Sequence, residues 1–221
     1  TLREQLQNEK TSLGFYLGGH PYQEYAGELE NFVKTRLADI TPQTQPQNGN
    51  GKRGGVPVVL AGIVSGVRIQ QTRRGRMAIV SLDDGSAQLE VTVFNEVFEA
   101  NRPWIREDEL LVVRGKASLD DYSGNMRVNG EELFDFASAR STFAKRLELS
   151  ISSDAGTSVT QLKEVLEPYR EGKCAVLVRY SNSIGSVNLK LDESWNVTLH
   201  SDLVDGLKNL LGEQNVRIAY S

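Results

Sequence analysis

The chain has 221 residues, 39% of them apolar, and a formal net charge of −4, which leaves room for two small domains with cores of their own and argues against binding nucleic acid over the whole surface. Its single cysteine, Cys174, excludes an internal disulfide framework and fits a reducing compartment. No apolar run reaches membrane-spanning length and no secretory leader opens the chain, so a soluble, cytoplasmic protein without a membrane partner is expected.

The chain opens with helical character. Residues 2–17 read as one helix ending near Gly18-Gly19, and Tyr22, Tyr25, Ala26, Leu29, Phe32 and Val33 recur at helical spacing after Pro21 as a second. Residues 1–40 are therefore a helical segment, either the end of a preceding domain or a brace on the next one. Residues 41–55 are Pro, Gln, Asn and Gly in the main and cannot bury enough apolar area to order themselves, so they read as a flexible linker. Gly49-Asn50-Gly51-Lys52 does not make a phosphate loop, because Arg53 follows where Ser or Thr is required and the flanks are linker and strand.

A long β-type run extends from Val58 to Ile69, with Gly62 and Gly66 placed to bend or bulge it so that it pairs on two sides. It turns through Arg73-Arg74-Gly75-Arg76 and returns as residues 77–82, then meets a tight-turn signal at Asp83-Asp84-Gly85-Ser86. Leu89, Val91 and Val93 alternate with polar residues as a third strand. Asn95 is placed to cap a short helix through Phe98, residues 110–113 give a fourth strand, Asp120-Asp121-Tyr122-Ser123-Gly124 a turn, and residues 126–134 a fifth. Five strands with a helix after the third match a Greek-key barrel of the OB type over residues 56–137, an architecture that binds nucleic acid across strands 2 and 3 and their flanking loops.

After Ala137 the pattern changes. Strands at 147–151, 175–180, 186–191 (extending beyond Trp195) and 216–220 alternate with helices at 159–166, stopped by Pro168, and 203–211, ended by Gly212. That order, βαββαβ, predicts a small α/β domain over residues 138–221 in the split-βαβ arrangement. The predicted fold class is thus mixed: N-terminal helices, a five-stranded barrel and a compact α/β domain.

Candidates for chemistry are few. Asp83-Asp84 and Asp120-Asp121 sit in predicted turns, where carboxylates commonly bond their own backbone; His20 and His200 stand without metal-ligand spacing; Cys174 leads a buried strand and reads as an inert core thiol. No serine stands in a nucleophile elbow. No catalytic residue, metal site or cofactor is therefore expected. Charge points elsewhere: between Asp39 and Asp83 there is no acid, but there are Lys52, Arg53, Arg68, Arg73, Arg74 and Arg76, and taking those six from 25 basic residues leaves 19 against 29 acidic ones. Arg73, Arg74 and Arg76 at the tip, with Arg68 on the strand below, are the candidate phosphate contacts, and about four such contacts to a single strand would give a log-log salt slope of about −3. Phe94 and Tyr122 are the candidate stacking platforms, and Glu90 beside Phe94 repels phosphate, so weak, salt-sensitive, sequence-tolerant binding of single strands is expected.

The run from Asn8 through Glu9-Lys10-Thr11-Ser12-Leu13-Gly14-Phe15-Tyr16-Leu17-Gly18-Gly19-His20-Pro21 resembles the E-K-x-x-L-G-x-Y-L-x-G-H-P run of the α subunit family of bacterial replicative DNA polymerase III. The similarity continues through Thr72-Arg73-Arg74-Gly75, Leu82-Asp83-Asp84, Leu89-Glu90-Val91, Asp120-Asp121-Tyr122-Ser123-Gly124, Leu166-Glu167-Pro168-Tyr169-Arg170 with Gly172, and the Trp195 strand, so it spans nearly the whole chain. The resemblance implies a C-terminal part of a DNA-directed DNA polymerase, a nucleotidyltransferase, without its catalytic carboxylates. It further implies a barrel near single-stranded template DNA and a terminal domain that docks the τ subunit of the clamp loader, with the sliding clamp or a proofreading exonuclease as further partners. For τ the last helix and strand are the place to look: Leu203, Val204, Leu207, Leu210 and Leu211, with Val216, Ile218 and Tyr220, carry apolar surface that is either core or a partner groove. The tail 214–220 lacks the tidy Gln-to-Leu-Phe pattern of a clamp peptide, and a closing strand explains it equally well. The alternatives are an independent OB-fold protein binding single-stranded DNA or tRNA, and an enzyme acting on a phosphoester through Asp83 or Asp120.

Overall fold

The computed structural model describes residues 9, 12, 16, 18–42, 55–72, 75–119, 126–153 and 159–220. The chain divides into two compact units, Thr1–Asp135 and Phe136–Ser221, each with an apolar core of its own. The expected helix 2–17 and the linker lie largely outside the described residues, as does the turn 120–124.

In the first unit, α1 (Gln23–Leu29) is shorter than the apolar spacing suggested. Asn31 donates from Nδ2 to the carbonyls of Gly27 and Glu28 (3.3 and 2.9 Å), using acceptors that another helical turn would need, and Phe32 and Val33 fall beyond the helix. Leu37 and Ile40, around a single 3₁₀ turn, are buried in the barrel core, so this segment braces the barrel.

The barrel is built from β1 (Val56–Thr72), β2 (Gly75–Asp83), β3 (Gln88–Phe94), β4 (Leu110–Leu119) and β5 (Met126–Phe134), closed in the order β1-β2-β3-β5-β4. One strand serves two neighbours: residues 56–63 of β1 pair with β4 and residues 63–72 with β2, with a register shift between Val64 and Gly66 at the bend. Alternation sends Leu60, Val80, Leu82, Val91, Val93 and Val113 inward. The helix α2 (Asn95–Asn101) closes one end by burying Phe98. Asn95 does not cap it as expected: the cap position is Phe94, without a side-chain bond, and Asn95 Oδ1 instead accepts from the Arg76 N–H at 3.3 Å, tying the start of β2 to the helix.

The second unit starts with a helix the pattern did not reveal, α3 (Phe136–Phe143). Its Ser- and Ala-rich sequence carries little apolar periodicity. It buries Ala139 and the Arg140 side chain, whose guanidinium lies over the Phe136 ring at 4.6 Å and donates to Leu199 O and Ser201 Oγ, both at 3.4 Å. Then come β6 (Ala144–Ser152), α4 (Val159–Leu166), β7 (Arg170–Ser181), β8 (Ser186–Lys190), α5 (Ser201–Leu211) and β9 (Val216–Tyr220). Leu162 and Leu166 of α4 and Leu203 and Leu207 of α5 bury one face of the sheet over Leu147, Leu149, Val176 and Val178.

The element order is as expected, but the sheet is not the split arrangement. Its order is β8-β7-β6-β9, and β6 pairs directly with β7 in parallel with nothing between them. The α4 crossover returns the chain alongside β6, so the hairpin turn at Asn182 (N–H to Gly185 O, 2.9 Å) finds only the outer edge of β7 free for β8. Nor does β8 reach Trp195: the Asp192 carboxylate accepts from Ser194 N at 3.0 Å and opens a 3₁₀ turn, Glu193–Trp195. Among the described residues no helix is long and apolar enough to cross a membrane.

Candidate nucleic-acid interface

The β1–β2 arm carries the expected arginines, and its register decides what they can do together. Arg68 stands opposite Ile79 and Arg76 opposite Gln71. Directly opposed residues share a face and successive residues alternate, so Arg68 and Arg76 project from opposite faces of the ribbon. Both are ion-paired within the chain, Arg68 with Glu90 and Arg76 with Glu99 at 3.4 Å. Such exposed pairs are worth about 0–1 kcal/mol, so a phosphate can compete for either guanidinium. Arg73, Arg74 and Tyr122 lie outside the described residues.

Around Arg68 a platform forms on the outer side of strands 1 to 3. Gln70, Met77 and Phe94 make one cross-strand row; Arg68, Ile79 and Thr92, continued by Asn129 of β5, make the next; Ser81 and Glu90 make a third. Phe94 is 54% exposed despite its size, and Met77 and Ile79 give the platform an apolar middle. Asn129 Oδ1 is buried without a hydrogen-bond donor among the described residues. Met77, Ile79, Gln70 and Asn129 were not singled out from sequence. The alternation of Ala78, Val80 and Leu82 already consigned Met77 and Ile79 to the outer side, but which β1 and β5 residues flank them is set by pairing alone.

Asp83 and Asp84 bond the turn in which they sit. Asp83 accepts from Gly85 N (2.8 Å) and Gln88 Nε2 (2.9 Å) and lies 3.1 Å from His20 Nε2. His20 Nδ1 accepts from Tyr22 N. Asp84 accepts from Leu37 N, Ser86 N, Ser86 Oγ and Ala87 N at 2.6 to 3.2 Å. Burial alone would push the Asp84 carboxyl up, but the bonds from the Ser86 hydroxyl and the Leu37, Ser86 and Ala87 backbone together outweigh it and hold it below the ordinary carboxylate value. Burial, with Asp84 and Glu30 nearby, pushes the Tyr22 phenol up to about 12. Asp84→Ala is expected to destabilise the first unit by about 1 kcal/mol at neutral pH, as loss of a turn or cap acceptor does. Because the folded carboxyl titrates below the unfolded one, that contribution is full above the unfolded value and is lost as pH falls through the folded value. Urea midpoints of both proteins from pH 7 to pH 3 check this, and a gap that stays constant on acidification would refute it. Asp120 and Asp121 lie outside the described residues.

Among the described residues no three His, Cys, Asp or Glu side chains gather as a metal site. His200 lies against Tyr169, ring centroids 6.0 Å apart, just before α5. Cys174 is fully buried in the second core, and burial pushes its thiol up to about 11, against a lowering bond from the Leu147 backbone. Of the apolar residues at the end of the chain, Leu203, Val204 and Leu207 are buried, while Leu211, Val216 and Ile218 pack half-buried against the same core. Leu210 and Tyr220 are half-buried. Residues 216–220 form β9, paired with β6.

Comparison with known proteins agrees with this division. Residues 58–136 match the family described as OB-fold nucleic acid binding domain, and residues 161–212 match DNA polymerase III subunit alpha, C-terminal domain. Along its length the chain is similar to DNA polymerase III subunit alpha of Vibrio cholerae (34% identical, 98% of this chain), of Pseudomonas aeruginosa (32%, 100%) and of Escherichia coli K12 (32%, 97%). It spans 18% of the length of each of these relatives. The chain thus carries an OB-type barrel followed by a domain that matches the C-terminal domain of DNA polymerase III subunit alpha, and along its full length it is similar to part of that subunit.

Proposed function

We propose that this part of the polymerase subunit is a non-catalytic replication module, in which the barrel contacts single-stranded DNA and the second unit docks the τ subunit of the clamp loader. The observation that carries the DNA reading is Phe94, 54% exposed beside Met77 and one row from Arg68 on the face that OB barrels use. A base stacks on the Phe94 ring over the Met77 and Ile79 floor, and its phosphate competes with Glu90 for Arg68. The match of residues 161–212 to the C-terminal domain of DNA polymerase III subunit alpha, with the τ docking that the resemblance implies, supports the second half of the reading.

The test titrates the chain with a labelled single-stranded oligonucleotide by fluorescence anisotropy, with duplex DNA and structured RNA as competitors. Phe94→Ala should weaken binding roughly 5- to 150-fold, the stacking contribution of one base. Arg68→Ala should cost less and reduce the salt slope by about 0.7, the share of one single-strand phosphate. Undiminished binding by Phe94→Ala would remove this face from the reading. Preference for structured RNA would favour an independent nucleic-acid-binding role. Retention of the chain on immobilised τ tests the second half.

A further inference from the structure

In the second unit, β8 is an edge strand whose five residues are all exposed. The hairpin bond from Asn182 N to Gly185 O and the rung from Leu191 N to Val176 O bracket the β7–β8 ladder. Hydrogen-bonded pairs alternate along an antiparallel ladder, so Val187 and Leu189 bond to β7 while the N–H and C=O groups of Ser186, Asn188 and Lys190 point outward, away from it. Among the described residues, four of the eight exposed large apolar side chains sit on this hairpin: Tyr180, Ile184, Val187 and Leu189, at 37, 94, 48 and 49% exposure. Tyr180 and Val187 are cross-strand partners, as are Val178 and Leu189. The apolar row therefore lies on the helix-bearing side, past the point where α4 and α5 cover it.

The other side of the same edge is basic. Arg179 opposes Asn188, and Lys190 opposes Leu177 beside a groove of about 300 Å³ that Lys145 and Arg146 also line. Glu148 stands on this side too, but Arg146 holds it at 2.6 Å and Arg217 faces it across β9.

From these three features together we infer that β8 is a receptor edge for an extended peptide of alternating apolar and acidic residues, which adds to the sheet as a fifth strand. The outward backbone groups supply the hydrogen bonds, Val187 and Leu189 receive the apolar side chains, and Arg179 and Lys190 receive the acidic ones. A second copy of this chain fits less well, because pairing β8 with itself would gather the same cations on one face. The inference depends neither on DNA binding by the barrel nor on which protein brings the strand.

The probe is a labelled synthetic octapeptide alternating Val and Glu, with a Val/Lys peptide of the same length as control, titrated into the full chain by fluorescence anisotropy. The Val/Glu peptide should bind saturably and the Val/Lys peptide should not. Asn188→Pro removes an outward donor without touching the β7 ladder and should weaken binding about tenfold, whereas Asn188→Ala, which keeps that donor and releases the Arg179 Nε that Asn188 Oδ1 holds at 3.3 Å, should not weaken it. Should Asn188→Pro fail to fold, as judged by circular dichroism, the Val187→Ser/Leu189→Ser variant replaces it and must weaken binding. Equal affinity for the two peptides, no saturable binding, or an unaffected Asn188→Pro variant would each overturn the inference. So would sedimentation showing a dimer of the free chain that Asn188→Pro abolishes.

Discussion

Gly172→Ala should destabilise the second unit by about 3 kcal/mol or more, at or above the upper end of overpacking penalties. A Cβ built at this position would lie 1.9 Å from Val197 C and 2.1 Å from Thr198 N and Val197 O. These are backbone atoms, so no rotamer change relieves the overlap. The approach is enforced from several directions: Arg170 and Cys174 both bridge to Val197, and Gly172 N donates to Asn196 O at 3.1 Å. Gly115 is the counterpart in the barrel, where a Cβ would come within 2.1 Å of Asn129 O at the β4–β5 register shift. Each unit contains one of the two tryptophans, Trp104 and Trp195, which permits separate readouts. In single-tryptophan backgrounds, Gly172→Ala should lower the urea midpoint reported by Trp195, and Gly115→Ala the one reported by Trp104. A wild-type Trp195 midpoint in Gly172→Ala would mean that strand β7 and the Val197 segment do not meet.

The second large effect separates core from surface on the last helix. Leu207→Ala should cost about 2–5 kcal/mol, the range for emptying a buried leucine site, since Leu207 is fully buried against the sheet. Leu210→Ala should cost well under that, about 1 kcal/mol or less, because the half-buried side chain already meets solvent. The contrast matters for mapping partners: loss of τ retention in Leu207→Ala would report unfolding, whereas loss in Leu210→Ala with an unchanged Trp195 midpoint would report a contact. Equal destabilisation by the two would show that α5 turns a different face to the sheet.

Much of the architecture is legible in the order of the amino acids. The alternation of Leu89, Val91 and Val93, the glycines of the long first strand and the turn acids place five strands and one helix in order, and the comparison with the OB-fold family covers the same residues, 58–136. Stops are legible where a residue forces them, as Gly212 does after α5 at a φ of 89°. Where the determinant is a side chain competing for backbone groups, periodicity runs too long or misassigns the role. Asn31 ends α1 early, Asp192 ends β8 early, and Asn95 bonds to β2 rather than capping its own helix. Helix α3 escapes because a segment that buries Ala139 and an arginine has no apolar stripe to detect.

The kind and order of most elements are thus set locally, because periods of two and 3.6 residues, glycine, proline and turn carboxylates act within a few positions of themselves. Adjacency comes from long-range contacts instead: Arg68 and Arg76 on opposite faces of one ribbon, Phe94 flush with Met77, Leu203 and Leu207 used up in a core, β6 directly beside β7, and β8 left at an open edge. The physical reason is that pairing partner and register are settled by backbone hydrogen bonds and burial between segments far apart in the chain, and a shift of one residue moves every side chain of a strand to the other face.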